Sequence, residues 1–167
     1  MDPVRYFHNP SFQGLLLRRT NDELREIKWE TMKLYPRIFP QGHPNEAQWR
    51  EKDSEWRFKN GGRLWLSYLD RDEDVKRYQG QSFTWVGFDE LTHYPSSFPW
   101  DYLATRVRTT DPELKNHLAM RATTNPGGPG HGWVKRMFID PAPPNKAFWA
   151  TNIETGEVMT DPLTGEP

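Results

Sequence analysis

Apolar residues in this chain fall into short runs that stop abruptly at polar ones, and these runs alternate with stretches of helical period. Gly14-Leu15-Leu16-Leu17 gives way to Arg18-Arg19, the pattern of a buried strand that surfaces at its C-terminal end. Thr20-Asn21-Asp22-Glu23 follows at once as a capping box: the threonine oxygen accepts from a first-turn amide and the glutamate reaches back to the cap. Leu24, Ile27, Thr31 and Leu34 then mark a narrow inward helical face, which Pro36 is expected to end by disfavouring the helical conformation of Tyr35. A strand running straight into a helix is the repeating unit of parallel α/β sheets.

Residues 36–54, with Pro36, Pro40, Gly42 and Pro44, read as a connecting excursion with a little helix around Glu46 to Lys52. Glu55 to Tyr68 carries two alternating runs around Asn60-Gly61, which predicts a β-hairpin closed by a type I′ turn. Asp70 to Arg77 is a charged stretch that reads as a short solvated helix or turn. Phe83 to Phe88 is rich in β-formers and predicts a central strand that delivers Asp89 and Glu90 at its C-terminal edge. Ser97 and Pro99 are placed to start a short helix over Trp100 to Val107. Leu118 to Thr124 is a second apolar run with a polar end, followed by the loop Asn125 to Gly132 and a helix-like Trp133 to Phe138. Two strands therefore present polar groups at the edge where open α/β sheets bind ligands. Pro141-Ala142-Pro143-Pro144 divides residues 1–140 from a C-terminal extension, 141–167. In that extension Phe148 to Ile153 is expected to enter a hairpin at Glu154 to Glu157, with a second turn at Leu163 to Glu166. A chain that stops at Pro167 on a turn signal is the pattern expected of a truncated sequence.

The 167 residues suffice for one core and are few for two. The lack of cysteine excludes disulfide scaffolds, thiolate metal sites and thiol nucleophiles, and suits a reducing compartment. No apolar run approaches the roughly 18–20 residues of a membrane span, and Met1 to Arg5 lacks a signal-peptide layout, so a soluble chain is expected. The formal charge is −1, which gives no overall positive field for a polyanion.

Asp89-Glu90 is the most informative pair. A buried strand followed by two acids matches a Walker B motif, in which the first carboxylate helps hold Mg2+ and the second orients the water that attacks a γ-phosphate. Taken alone, the pair reads first as an acidic cap on a strand leaving the core, since short apolar-then-acidic strings are common. Thr123-Thr124-Asn125 stands where additional-strand ATPases place a γ-phosphate sensor, or else is a turn begun by Asn125-Pro126. Gly127 to Gly132 fails the P-loop pattern, because Trp133 stands where Lys belongs and Val134 where Ser or Thr belongs. That loop reads as a mobile element beside the site or as a plain multiple turn. Arg77, Arg106 and Arg108 flank the acidic strand in sequence and are candidates for an arginine finger; each is also readable as a solvated surface residue. Arg18 and Arg19 end the first strand at the same expected edge, one facing nucleotide and one solvent. His93, His117 and His131 lack metal-ligand spacing.

In their order, Leu15 to Thr20, Leu24-Arg25-Glu26, Tyr78-Gln79-Gly80, Phe83 to Leu91, Thr105 to Arg108 and Ala122 to Val134 resemble the ATPase domain of tailed-phage terminase large subunits. The resemblance covers about residues 5 to 140 and is specific in the order of its motifs. It implies an α/β fold, a partial additional-strand P-loop NTPase-like (RecA-like) sheet, mostly parallel, with an inserted β-hairpin and a C-terminal β-hairpin extension. It also implies ATP and Mg2+ as ligands. Asp89 corresponds to the metal-side acid and Glu90 to the catalytic acid. Thr123-Thr124-Asn125 corresponds to a coupling motif, and Arg77, Arg106 and Arg108 are approximate matches to a trans-acting arginine. The partners implied are double-stranded DNA, a portal protein, the small terminase subunit and further copies of the chain in a ring, in the host cytoplasm. The sequence contains no GxxxxGK[ST] and nothing matching the family's nuclease domain, so the chain alone is not expected to hydrolyse ATP. Two other readings are a non-catalytic assembly module, which exposed hairpin aromatics such as Trp56 or Trp65 would favour, and a Mg2+-dependent nuclease built on Asp89 and Glu90.

Overall fold

The computed structural model describes residues 2–149 together with 155, 157 and 158. Its centre is a six-stranded mixed sheet of order β2-β3-β4-β1-β5-β6. The strands are β1 (Gln13–Arg18), β2 (Ala47–Arg50), β3 (Glu55–Phe58), β4 (Arg63–Tyr68), β5 (Trp85–Phe88) and β6 (Ala119–Ala122). β4, β1, β5 and β6 run parallel to one another, whereas β3 is antiparallel to β4 and β2 to β3. The chain is therefore α/β with a mostly parallel sheet.

Both faces of the central strands are covered, which is why they read as unbroken apolar runs. Leu15, Leu17, Val86 and Phe88 point to one face, where they pack with Val75 and Tyr78 of the 3-10 helix Asp72–Tyr78, with Leu103 of α2 (Phe98–Ala104), and with Trp133, Val134 and Met137 of α4 (His131–Phe138). Leu64, Leu66 and Trp85 face the other way, in a cluster with Leu24 and Tyr35 of α1 (Asn21–Ile38), Leu114 of α3 (Pro112–Lys115), Phe7 and Phe12. Gly87 has a structural reason: a Cβ there would lie 2.2 Å from the Trp85 ring, so only glycine lets that indole lie along its own strand.

Several local expectations are corrected. Thr20 caps α1, its hydroxyl accepting from the Glu23 amide at 3.3 Å, but the Glu23 carboxylate pairs with His93 Nδ1 at 3.2 Å. α1 runs through Pro36 to Ile38, and the Phe39 amide closes the last turn on the Tyr35 carbonyl at 2.8 Å. Burial of Tyr35 among Phe7, Trp56 and Phe58 outweighs the proline penalty. Residues 47–50 form β2 instead of a helical turn, with Trp49 against Trp56 at 5.3 Å between ring centroids. The β3–β4 hairpin forms, yet Gly61 alone in its loop has positive φ (+105°), and its amide donates to the Phe58 carbonyl at 2.7 Å. A type I′ turn needs positive φ at both central residues, so this is the longer loop ended by a left-handed glycine. Asp70 to Arg77 is not fully solvated: it supplies Val75 to the core. Phe148 and Trp149 lie outside regular structure, Thr155 is a turn residue and Glu157 irregular, and the remaining residues of the expected C-terminal hairpin, with the turn at Leu163 to Glu166, fall outside the described residues. Among the described residues no helix is long and apolar enough to cross a membrane.

Candidate functional site

The crossovers place a crevice at the C-terminal ends of β1 and β5. β1 leaves the sheet into α1 on one face, whereas β5 leaves into the 3-10 turn Leu91–His93 and α2, which pack with the core of the other face. Neighbouring parallel strands whose exits diverge in this way open a cleft at their carboxyl ends, the usual ligand position in open α/β sheets.

Polar residues from three strand ends meet there. β5 and β6 pair in register from Trp85·Ala119 to Phe88·Ala122, and the ladder continues beyond both strands through the Thr123 amide on Phe88 O (3.0 Å) and the Leu91 amide on Thr123 O (2.9 Å). Asp89 and Thr123 are thereby set side by side, and the Thr123 hydroxyl donates to Asp89 Oδ1. From the β1 side Arg18 Nη2 binds Asp89 Oδ2 at 2.5 Å, with the arginine side chain 15% and the aspartate side chain 24% exposed. Glu90 holds a left-handed backbone (φ 55°, ψ 59°), a conformation that costs a non-glycine residue of order 1–3 kcal/mol and that concentrates at functional sites. Asn125 Nδ2 donates to its Oε1 at 3.3 Å.

Thr124 is engaged elsewhere. Its hydroxyl lies 2.7 Å from the hydroxyl of buried Thr92 and accepts from the Thr92 amide at 3.1 Å. The three residues of the polar strand end thus divide their contacts, Thr123 to Asp89, Thr124 to the turn after β5, and Asn125 to Glu90. The glycine loop is anchored at its C-terminal end. The Gly130 amide donates to Thr92 O at 2.8 Å, Trp133 Nε1 donates to Tyr94 O at 2.8 Å, and a Cβ on Gly130 would lie 2.2 Å from that same carbonyl oxygen.

The remaining candidates separate. Arg19 is held by Asp72 at 2.8 Å, and its guanidinium lies over the Tyr94 ring at 5.5 Å, so it clamps two loops together. Burial pushes the Tyr94 phenol up. Arg106 and Arg108 flank Val107, which bridges to Phe83 at the entry to β5, the sheet edge opposite Asp89 and Glu90. There Arg106 lies 5.0 Å from the Tyr102 ring centroid and Arg108 Nε donates to Ser82 at 2.8 Å. Arg77 is tied to Asp74 within its own 3-10 helix. The structure brings none of these three to the Asp89 ledge of the same chain. Sequence reasoning missed Thr92 and the His93–Glu23 pair, because neither carries a local pattern and both acquire partners only when the strands align.

A cleft of about 270 Å³ opens beside the ledge, lined by Arg18, Glu90, Thr92, His93, Asn125 and the loop 126–128. A second, more apolar cavity of about 430 Å³ lies between α1 and the sheet and reaches Asp89 and Thr123 from the other side. Among the described residues no three acidic or histidine side chains gather to hold a metal. This donor set does not fit a cation caged by protein ligands, as a nuclease site needs. It does fit Mg2+, which is commonly bound through one or two carboxylates with water and substrate phosphates. No family model and no curated protein matches the chain.

Proposed function

We propose that this chain forms part of the ATP-hydrolysing domain of a double-stranded DNA-packaging motor of the terminase large-subunit kind, with a P-loop NTPase-like sheet. The observation that carries the reading is the junction of β5 and β6: two adjacent parallel strands end on one ledge, with Asp89 bound to Thr123 and Glu90 to Asn125. In this reading Asp89 is the carboxylate on the side of the cation, which would neutralise phosphate charge. Glu90, set apart by its left-handed backbone, orients the attacking water and takes up its proton. Asn125 senses the position of that carboxylate, and the Thr92–Thr124 clamp ties the sensor to the segment leading into α2. The cleft beside Arg18 has room for phosphate groups and not for a whole nucleotide. The phosphate-cradling loop is supplied by a GxxxxGK[ST] segment outside this sequence, on a strand beside β6, which has only β5 as a neighbour among the described residues. The portal protein, a small terminase subunit and further copies of the chain in a ring are the partners of such a motor. The arginine finger comes from a neighbouring copy, since Arg77, Arg106 and Arg108 lie away from the ledge of their own chain.

The assembly-module alternative loses its motivating observation, because Trp56 is buried and Trp65 packs against Phe83. The test is Mg2+-dependent ATP hydrolysis by this sequence made continuous with a GxxxxGK[ST] segment. Glu90→Gln is expected to lower turnover by about a hundredfold or more and to retain ATP binding. Undiminished turnover by that variant refutes the reading.

A further inference from the structure

Both oxygens of Asp89 are engaged. Oδ1 takes the Thr123 hydroxyl and Oδ2 takes Arg18 Nη2 at 2.5 Å. A divalent cation bonded to Oδ2 at about 2.0–2.1 Å would sit against a guanidinium of like charge. The ledge as a whole has the wrong sign for a phosphate chain, since Asp89 and Glu90 are both acids and Arg18 is the only lysine or arginine among the residues lining the cleft. Arg19 is not available, being fixed by Asp72 and Tyr94. Arg18 is differently placed. Of its five N–H donors the Asp89 contact engages one nitrogen, and its Nε is buried without a hydrogen-bond partner.

Resting on the nucleotide reading, we infer that Arg18 is a partner-exchanging phosphate ligand: it holds Asp89 until a phosphate chain enters the cleft, then turns to the phosphate oxygens and releases Asp89 Oδ2 to the divalent cation. Guanidinium suits both partners, since carboxylate and phosphate accept the same forked donor geometry. The exchange orders binding. Cation alone competes with Arg18 for Asp89, whereas cation arriving with phosphate does not. It also makes Arg18 and Asp89 antagonists, which a static structural ion pair is not.

The test uses the full chain, Mn2+ as the metal probe read by electron paramagnetic resonance, and inorganic triphosphate as the anion probe read by calorimetry. Arg18→Ala is expected to bind Mn2+ alone about tenfold tighter than the unaltered chain and metal-free triphosphate about tenfold weaker. Asp89→Asn, which preserves shape and the Thr123 contact, is expected to bind metal-free triphosphate about threefold or more tighter, because Arg18 is set free. It keeps the idea testable if Arg18→Ala does not fold. Mn2+ affinity unchanged or reduced in Arg18→Ala, or triphosphate affinity unchanged in it or not raised in Asp89→Asn, overturns the exchange; with triphosphate still bound by the unaltered chain, the nucleotide reading stands. No triphosphate binding by the unaltered chain, with or without Mn2+, overturns the exchange and leaves the nucleotide reading, which draws its phosphate-cradling loop from outside this sequence, to the Glu90→Gln turnover test.

Discussion

Thr92→Val tests whether the turn after β5 and the polar end of β6 act as one unit. Thr92 is 3% exposed, and its hydroxyl lies 2.7 Å from Thr124 Oγ1 and 3.2 Å from Asn125 O. Valine keeps the shape and loses both contacts. Thr124 and Asn125 are exposed enough for water to replace part of the loss, so the expected cost is about 1–2 kcal/mol, the net worth of two ordinary hydrogen bonds less some resolvation. For a domain of this length that corresponds to a fall in melting temperature of about 3–6 °C. Urea unfolding and scanning calorimetry read it, and Thr92→Ser, which restores the hydroxyl, should recover most of the loss. The sharper measurement is the double-mutant cycle with Thr124→Val, where a shared clamp predicts a coupling of about 0.5 kcal/mol or more. Additivity within about 0.3 kcal/mol would refute the clamp and with it the route from Asn125 to the segment entering α2.

Gly130→Ala should destabilise by about 1–3 kcal/mol in urea, since its Cβ would meet backbone oxygens of Tyr94 and Thr92 at 2.2 and 3.0 Å. Gly132→Ala, inside α4 with nothing nearer its Cβ than Arg136 at 3.6 Å, should instead stabilise by about 0.5–1 kcal/mol. Thr31→Val strands the buried Trp56 Nε1, which donates to Thr31 Oγ1 at 3.0 Å, and should cost about 1–3 kcal/mol by the same measurement. Burial pushes the Tyr35 phenol up to about 12 and raises that of Tyr78. A folded pKa above the unfolded value means that full stability holds below the unfolded tyrosine pKa of about 10 and is lost as pH rises toward the folded one. Unfolding free energy should therefore fall between about pH 10 and 12, and Tyr35→Phe should flatten that fall; a slope unchanged in the variant would contradict the burial argument.

Much of this architecture is local in origin. Leu15 to Leu17 and Phe83 to Phe88 announce buried parallel strands because both of their faces are apolar, and Thr20 announces the start of α1 because a helix leaves its first amides without partners. The errors share one cause, the preference of a distant neighbour. Tyr35 finds an aromatic pocket that carries α1 through Pro36, and Trp49 finds Trp56 and makes a strand of an expected turn. The sequence by itself determined that two strands end in acids on one and hydroxyls and an amide on the other. Tertiary structure alone decided that Thr123 faces Asp89, that Thr124 belongs to Thr92, and that of two adjacent arginines Arg18 reaches the site while Arg19 is a clamp. Alternation along a strand sends neighbouring side chains to opposite sides, but which side holds the ledge depends on where the chain crosses over next, and that is settled only when the whole sheet assembles.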